Sequence, residues 1–455
     1  MSVFEKRSPM PVPARELYDW HARPGAFERL TPPWQRLRVV ERSGAIADGD
    51  RLVMEYRVGP FKGRWVAVHE GHVEGEGFTD VQAEGPFARG EHRHPALPDG
   101  EERSVREDHV EYEHPGGDAA GRVAGPVAER QLERLFAFRH RRTRDDLVRH
   151  AAWRGRPRLR VAVTGGSGFV GGALTSFLTS GGHEVVRFTR RRDAGPGWAH
   201  WDPAAGVLDA AGLEGVDAVV HLAGTSLAGL WTARRRREIL ESRRAGTQLV
   251  ARASAGLERP PAVIVSASAV GWYGSRGAEE LSEESGPGTG FLADVCRQWE
   301  EALAPAREAG IRTVSTRFGL VIGGAGGLLA AMLPAFRLAA GARLGDGGQW
   351  MSWVAIDDVL GAILLALYDE SVAGPVNVTA PAPVTNREFT ATLARVLRRP
   401  ALFVAPRAVL ERGLGDMGRE MLLASQRVKP ARLAAAGFTW LFPDLEGALR
   451  FELGR

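Results

Sequence analysis

Three glycines at intervals of three residues carry the first recognisable chemistry in this sequence. Gly165, Gly168 and Gly171 follow a short valine-rich run, Arg160–Thr164, which is typical of a buried parallel strand. Apolar residues then recur at helical intervals until Gly181–Gly182. In such a strand–turn–helix unit the glycines permit a tight turn, approach of backbone amides to a pyrophosphate, and close helix–strand packing. The sequence therefore predicts a dinucleotide site, and a plain glycine-rich turn is the disfavoured alternative.

Arginines at the end of the next strand indicate which dinucleotide binds. The predicted strand Glu184–Thr189 is followed by Arg190, Arg191 and Arg192. An NAD site usually has a carboxylate roughly 20 residues after the glycines to hold the ribose hydroxyls. A guanidinium instead pairs with the 2′-phosphate of NADP. We predict NADP in preference to NAD, with Arg190 as the first choice and Arg191 as the second. The alternative is an exposed basic turn.

The elements around this turn predict the fold class. Strands are expected at Val216–Gly224, Pro261–Ser268 and Arg312–Val321, and a helix passes through Val295–Glu301. Small residues at the carboxyl end of the first of these strands would let a cofactor approach the backbone. Alternating strands and helices predict an α/β fold with a doubly wound parallel sheet.

Length and composition limit the classes of protein to which this sequence can belong. A chain of 455 residues, with 44% hydrophobic and 25% charged residues, is expected to fold into two or three globular domains. Its one cysteine, Cys296, excludes a disulfide framework and a cysteine-based zinc site. The sequence has no signal-peptide pattern and no apolar run long enough to span a membrane, so we predict a cytoplasmic protein. The net charge of +4 is small and mixed, so no nucleic-acid partner is predicted.

Residues 1–150 lack the glycine pattern and are predicted to form a separate domain. A short helix is expected near Val12–Trp20 and a long amphipathic one over Val127–Arg149. The strands predicted between them are Asp50–Tyr56, Arg64–His72, Thr79–Glu84 and Ser104–Glu113.

That order of elements resembles the START-like, or SRPBCC, helix-grip fold. Phe136–His140 followed by Asp145–Leu147 resembles the closing helix of its polyketide-cyclase/dehydrase branch. The resemblance implies an α+β domain whose sheet wraps an apolar cavity for a hydrophobic ligand. A filled core is the alternative, and the sequence leaves both open.

Four histidines of this segment, His69, His72, His92 and His94, have side chains that can bind a metal. Nothing in their spacing requires one, and exposed or hydrogen-bonded histidines are the favoured interpretation. The sequence alone therefore predicts no metal site.

The second part of the chain resembles an extended short-chain dehydrogenase/reductase, and more narrowly the atypical, epimerase-like branch labelled sugar-nucleotide epimerase. The segments that carry the resemblance are Thr164–Gly171, Asp217–Gly224, Ser268–Gly274, Arg317–Gly323, Trp353–Val359, Trp299–Glu301 and Met332–Arg337. The tail from about Phe403 resembles that branch's small DUF1731-like C-terminal domain. The domains expected are residues 1–150 (START-like), 151–157 (linker), 158–400 (NAD(P)-binding) and 401–455 (C-terminal).

One departure from the resemblance decides the expected chemistry. Typical members use a Tyr-x-x-x-Lys pair, whose lysine holds the ribose and lowers the pKa of the tyrosine. Leu292 and Cys296 stand at those places here, and Arg243 lies near the place of an asparagine. Ser268 and Tyr273 remain as predicted catalytic residues, to bind a substrate carbonyl and to donate a proton. For Tyr273 a packed aromatic side chain is the alternative.

These observations predict an NADP-dependent oxidoreductase or epimerase-like enzyme acting on an unidentified small carbonyl or hydroxyl substrate. The alternative is a non-catalytic NADP(H)-binding sensor, and a lipid- or polyketide-handling protein is a third hypothesis. The residues predicted to contact the cofactor are Gly165, Ser167, Gly168, Phe169, Val170, Gly171, Arg190, Arg191, Leu222, Ala223, Gly224 and Arg243.

Overall fold

The computed structural model describes residues 1–58, 61–192 and 195–455. Its internal contacts divide the chain into two compact units. The first comprises Met1–Pro157, Ser176–Gly182 and Glu452–Gly454, and the second comprises the remaining residues. Among the described residues, no helix combines the length and the apolar character that a membrane crossing requires.

The first unit is built on an antiparallel sheet. Its described strands are β1 Ser2–Met10, β2 Leu37–Ser43, β3 Arg51–Val58, β4 Phe61–Val73, β5 Gly77–Glu84, β6 Arg89–Pro98 and β7 Ser104–Glu113. Its helices are α1 Ala14–Ala22, α2 Ala26–Leu30 and α3 Gly117–Ala151. The sheet order is β1-β7-β6-β5-β4-β3-β2, so the first strand of the chain pairs with the last.

Strand β7 shows how the sequence builds the inner face of this sheet. Burial alternates along it, with every second residue inward, as a period of two requires. Inward residues are apolar at one end, where Val110 and Tyr112 pack with Phe4 and with Phe136 of α3. At the other end they are polar, with Arg106 and Asp108 both buried. The sheet and α3 therefore enclose an apolar region beside a polar one.

The sequence predicted four of these seven strands, and β1, β2 and β6 were missed. Strand β2 is mostly exposed, and β1 alternates two buried apolar residues with charged ones. Strand β6 turns His92 and His94 inward where an apolar pattern would be expected, and it contains two prolines. Helix α3 begins ten residues before the predicted Val127.

The second unit contains a doubly wound sheet, which confirms the predicted fold class. The strands of the unit are β8 Arg160–Thr164, β9 Glu184–Thr189, β10 Trp198–Asp202, β11 Val207–Leu208, β12 Ala218–His221, β13 Val263–Ala269, β14 Glu280–Leu281, β15 Arg312–Phe318, β16 Leu320–Ile322, β17 Ala342–Leu344, β18 Trp350–Met351, β19 Trp353–Ala355, β20 Gly374–Val378, β21 Val384–Thr385, β22 Phe403–Ala405 and β23 Arg427–Val428. The order of the doubly wound sheet is β11-β10-β9-β8-β12-β13-β15-β20.

The strands of this sheet are parallel apart from the β10–β11 pair at one edge. The later helices of the chain are α4 Phe169–Ser180, α5 Ala233–Ala255, α6 Phe291–Glu301, α7 Ala304–Glu308, α8 Gly327–Arg337, α9 Ile356–Tyr368, α10 Asn386–Leu397, α11 Arg407–Leu414, α12 Ala431–Ala435 and α13 Leu445–Leu453. Every residue of β12 is buried, which explains the apolar run Ala218–Val220 in its sequence.

The strand predicted over Arg312–Val321 is two strands, β15 and β16, separated at Gly319. A Cβ at Gly319 would lie 2.6 Å from the carbonyl oxygen of Ser352. The chain therefore leaves the main sheet at this glycine, and β16 pairs with β19 instead.

The strand order reverses between β8 and β12. Strand β8 pairs with β9 on one side and with β12 on the other, and Thr164 is opposite His221. The residues that follow both strands therefore meet at the carboxyl edge of the sheet. Such a switch point is where doubly wound sheets bind their ligands.

Candidate functional site

The glycine turn after β8 has a geometry that only glycine can adopt at two of its positions. Gly165 has a φ of +72°, and a Cβ there would lie 2.9 Å from the backbone nitrogen of Ala223. A Cβ at Gly171 would lie 2.2 Å from the carbonyl oxygen of Gly165. The first glycine thus brings the turn against the end of β12, and the third brings α4 against the turn.

The outer side of the turn is open. Ser167 and Gly168 are exposed, and Val170 is half-buried in the first turn of α4. Phe169 packs against a glycine-rich loop, because Cβ atoms at Gly323 and Gly326 would lie 2.5 and 2.6 Å from its ring. The first amides of a helix have no partner within the helix, so this end of α4 presents donors to an anion.

The carboxyl ends of β8 and β12 are joined by side-chain hydrogen bonds. Thr164 Oγ1 lies 2.8 Å from His221 Nδ1 and accepts a hydrogen bond from the Leu222 amide at 3.2 Å. Burial, and to a smaller extent Arg243, lower the pKa of His221 to about 4. His221 is therefore neutral at physiological pH, and it joins the ends of β8 and β12 as an uncharged hydrogen-bonding group.

The arginines predicted to select NADP lie at the end of β9. Arg190 and Arg191 are exposed, and the Arg191 amide donates to Thr189 Oγ1 at 3.2 Å. Sequence reasoning missed Arg187, because it lies within the strand. Its Cγ would be 3.2 Å from a Cβ on Gly166, and its guanidinium lies over the Trp198 ring at 4.0 Å. Its side chain thus lies against the glycine turn.

Arg243 is buried beside the end of β12. Its guanidinium donates to the carbonyl oxygens of Thr225 and Ile239 at 3.0 and 3.1 Å and lies over the Trp299 ring at 4.9 Å. Burial lowers its pKa to about 10, which leaves the side chain charged. A Cβ on Gly224 would approach this guanidinium to 3.3 Å. The fold therefore places Arg243 next to the predicted cofactor-contacting segment Leu222–Gly224.

The predicted catalytic serine belongs to a buried ion-pair network. Ser268 Oγ, near the end of β13, donates to Glu300 Oε1 at 2.7 Å. The same carboxylate accepts two hydrogen bonds of 2.8 Å from Arg317. Ser268 and Arg317 are each 2% exposed, so this network lies in the interior beside the carboxyl edge of the sheet.

The predicted catalytic tyrosine closes the same network. Tyr273 is fully buried, donates to Asn377 Oδ1 at 2.7 Å and accepts from Arg317 at 3.0 Å. Burial raises the pKa of its hydroxyl, although Arg317 opposes the rise. The catalytic roles of Ser268 and Tyr273 stay predictions, since both hydroxyls already have protein partners. Sequence reasoning missed Asn377 in this network, because the residue lies on a distant strand.

The places of the absent tyrosine–lysine pair lie on α6. A Cβ added to Gly271 would lie 3.3 Å from Leu292 and 3.6 Å from Cys296. Both side chains therefore pack beneath the Val270–Tyr273 turn. Cys296 is buried, and burial raises the pKa of its thiol to about 12. Neither side chain can supply the proton chemistry of the usual pair.

In the first unit the sheet brings three of the four singled-out histidines together. His69, His92 and His94 surround Asp80. His72 lies apart, with its Nε2 2.6 Å from the Tyr18 hydroxyl.

Comparison with known proteins places these two units in families. Residues 161–378 match the model of the NAD dependent epimerase/dehydratase family. An epimerase family protein of Mycobacterium bovis is 39% identical over 296 residues, which are 65% of this chain and 98% of that protein. The chain belongs to this epimerase family. The human epimerase family protein SDR39U1 is 38% identical over 296 residues, covering 64% of this chain and 99% of that protein.

Family models also match the parts on either side of the epimerase match. Residues 10–138 match polyketide cyclase / dehydrase and lipid transport, and residues 405–452 match the domain of unknown function DUF1731. The predicted resemblances to an atypical NAD(P)-binding short-chain dehydrogenase/reductase and to a START-like domain are therefore confirmed.

Two solved structures extend the comparison. A nucleoside-diphosphate sugar epimerase from Corynebacterium glutamicum superposes with a TM-score of 0.80 at 34% identity, covering 99% of this chain and 90% of that one. Human SDR39U1 (isoform 2), solved with NADPH, superposes with a TM-score of 0.59 at 36% identity, covering 64% of this chain and 98% of that one.

Proposed function

We propose that this epimerase-family chain binds NADP(H) at the carboxyl edge of its parallel sheet. The observation that carries the proposal is the close packing of Gly171 against the backbone of Gly165 at the β8–β12 switch point. Their lack of side chains lets the turn, the end of β12 and α4 approach within van der Waals distance. The amides at the start of α4 would then hold the pyrophosphate. NADPH in the human relative's structure supports this choice of cofactor.

The preference for NADP over NAD rests on charge. Arg190 and Arg191 are exposed directly after β9, at the position where an NAD site has a carboxylate. A guanidinium can pair with a 2′-phosphate through two charge-assisted hydrogen bonds. We assign the contact to Arg190 first, with Arg191 beside it.

Replacing Arg190 with serine is expected to weaken NADPH binding at least about tenfold, because one charge-assisted contact is lost. NADH carries no 2′-phosphate, so its affinity should change by less than about twofold. Arg252→Ser, at an exposed position in the last turn of α5, is the matched control. Isothermal titration of the full chain with each nucleotide gives the ratio of the NADPH and NADH affinities. An equal loss for NADPH and NADH would refute the assignment.

The chemistry that we propose is hydride exchange between the nicotinamide and a small carbonyl or hydroxyl compound. Because the tyrosine–lysine pair is absent, orientation of substrate against the cofactor must contribute most of the catalysis. Ser268 and Tyr273 are the hydroxyls that would orient or protonate the substrate. For them to do so, substrate must displace their bonds to Glu300 and Asn377.

The alternative is a non-catalytic protein that binds NADP(H) and reports its redox state. Both functions require NADPH binding, and only the enzyme oxidises NADPH when a carbonyl compound is added. Absorbance of NADPH in the presence of a panel of aldehydes, ketones and nucleotide sugars separates them. No turnover with any class, despite saturated binding, would favour the sensor.

A second candidate function belongs to the first unit. It encloses a cavity of about 390 Å³, which falls within the usual range for small-molecule sites of about 300–1,000 Å³. The apolar side chains around it include Leu30, Leu52, Met54, Phe78, Val110 and Phe136. We propose that this cavity holds a small hydrophobic molecule, in keeping with the match to polyketide cyclases and lipid transport proteins.

The full chain is therefore expected to bind a neutral apolar fluorophore such as N-phenyl-1-naphthylamine. Ala67→Trp should weaken that binding at least about tenfold, since the larger side chain occupies the cavity that Ala67 lines. Val3→Trp, at a position 59% exposed, adds the same indole outside the cavity and should leave the binding unchanged. Equal fluorescence titrations for the two variants would contradict the assignment.

A further inference from the structure

The cavity of the first unit has a polar wall formed by neighbouring residues of β5 and β6. Asp80 pairs with His92 across these strands, and His94 is the next residue of β6 on the same face. His94 Nε2 lies 3.0 Å and His92 Nδ1 lies 4.0 Å from Asp80 Oδ2. One ligand atom from each of the three residues lies within 4.8 Å of the others. Two imidazole nitrogens and one carboxylate oxygen thus converge on one point.

A second carboxylate, Asp108, lies on the far side of both imidazoles and fixes the orientation of His92. His92 Nε2 donates to Asp108 Oδ1 at 2.8 Å, so in the neutral ring the lone pair is on Nδ1, on the side of Asp80. His94 Nδ1 lies 3.1 Å from the same oxygen, but it makes no hydrogen bond of acceptable geometry within the described part of the chain. The hydrogen bond of this ring runs from Nε2 to Asp80 Oδ2 at 3.0 Å, and a metal ion would take the place of that proton. Metal-binding histidines are commonly held, as His92 is, by a carboxylate on the opposite nitrogen.

The charges of the two carboxylates are balanced differently. Asp108 is fully buried and accepts a hydrogen bond of 2.8 Å from the Arg106 guanidinium. Asp80 has three histidines as its ion-pair partners within the described part of the chain. The third of them, His69, has its Nδ1 2.6 Å from Asp80 Oδ1. Neither of these two atoms has a hydrogen bond of acceptable geometry within the described part of the chain. A cation at Asp80 would supply a partner for this oxygen.

We propose that Asp80, His92 and His94 bind one divalent transition-metal ion of the Zn²⁺ class, with Asp108 as the residue that positions His92. Mixed imidazole and carboxylate ligands suit zinc, iron, cobalt and their neighbours, whereas magnesium and calcium prefer oxygen ligands throughout. His69 is placed to orient the carboxylate of Asp80 or to complete the ligand set.

The proposed ion would have an open coordination position towards the cavity. Asp80, His92 and His94 all line the cavity together with the apolar side chains. Three protein ligands leave a zinc-class ion at least one position for water or an added ligand. A ligand of this cavity would therefore combine an apolar body with an oxygen donor, such as a phenolate, enolate or carboxylate. The ion's binding does not depend on the cofactor function proposed for the second unit.

The test is a titration of the full chain, freed of metal by chelation and dialysis, with Co²⁺ as a spectroscopic probe. One Co²⁺ per chain is expected, with visible ligand-field absorption that Zn²⁺ abolishes by displacement. His94→Gln and Asp80→Asn should each weaken Co²⁺ binding at least about tenfold, because the first removes an imidazole ligand and the second removes the negative charge of the carboxylate ligand. Circular dichroism establishes that each variant is folded.

His109→Gln is the matched control, because His109 lies on β7 with its Nε2 3.1 Å from Glu111 and does not line the cavity. This variant should bind Co²⁺ as the unmodified chain does. The proposal is overturned if the unmodified chain shows no ligand-field absorption, or if His109→Gln and His94→Gln weaken binding equally. Should His94→Gln fail to fold, the spectrum of the unmodified chain alone decides.

Discussion

Replacing Gly171 with alanine is expected to lower the affinity for NADPH at least about a hundredfold, or about 2.7 kcal/mol. The added Cβ would lie 2.2 Å from the carbonyl oxygen of Gly165 and 2.8 Å from its carbonyl carbon. Both are backbone atoms of the turn, so α4 and the turn must move apart. The backbone amides that would hold the pyrophosphate then no longer point towards one phosphate position. Isothermal titration of the full chain with NADPH measures the loss.

The adjacent residue supplies the control. A Cβ on Gly172 would meet its nearest neighbour, the Gly166 carbonyl oxygen, at 3.7 Å, which is ordinary contact. Gly172→Ala makes the same chemical change one position along the same helix. It should bind NADPH within about threefold of the unmodified chain. If both variants bind alike, close approach at Gly171 is not what forms the cofactor site.

Replacing Asp108 with asparagine should destabilise the first unit by about 3–5 kcal/mol, the usual cost of breaking a buried ion pair from one side. The carboxylate accepts hydrogen bonds from Arg106, His92 and His140 at 2.8, 2.8 and 2.7 Å. Burial alone would raise the pKa of Asp108, but Arg106 and the histidines hold it well below its usual value. The asparagine side chain carries no charge, and its NH₂ group would face the N–H donors of Arg106 and the two histidines.

Amide hydrogen exchange at β6 and β7 of the full chain measures this change locally, because it reports the free energy of opening each segment. Asp99→Asn, in the loop between these strands with a half-exposed side chain, is the control and should change it by less than about 0.5 kcal/mol. Unchanged exchange in the Asp108 variant would show that the buried carboxylate does not stabilise the sheet.

The glycine turn was predictable because the sequence signals for it lie close together in the chain. A valine-rich strand, three glycines and an amphipathic helix follow one another within about twenty residues, and each has its own signature. The β8–β12 pairing then follows from the alternation of strands and helices. The position of Arg243 was indicated only by the family resemblance, since its contacts with Thr225 and Ile239 depend on how α5 packs.

The polar interiors were not predictable in the same way. Strand β6 was missed because its inward residues, His92 and His94, are polar, and their partner Asp80 is fixed only by the register with β5. Similarly, the catalytic roles of Ser268 and Tyr273 were predicted from their positions in the sequence alone. Their partners Glu300 and Asn377 come from a helix and a strand distant in the chain.

The account depends most on the glycine turn holding NADP(H), and hydrogen–deuterium exchange of the full chain with and without NADPH tests it directly. Saturation with NADPH should slow exchange at residues 164–172 and 222–224, the two backbone segments that meet at the switch point. NADH at the same concentration should give less protection, in keeping with the Arg190 assignment. NADPH that binds while these segments exchange unchanged, or that does not bind at all, would contradict the account.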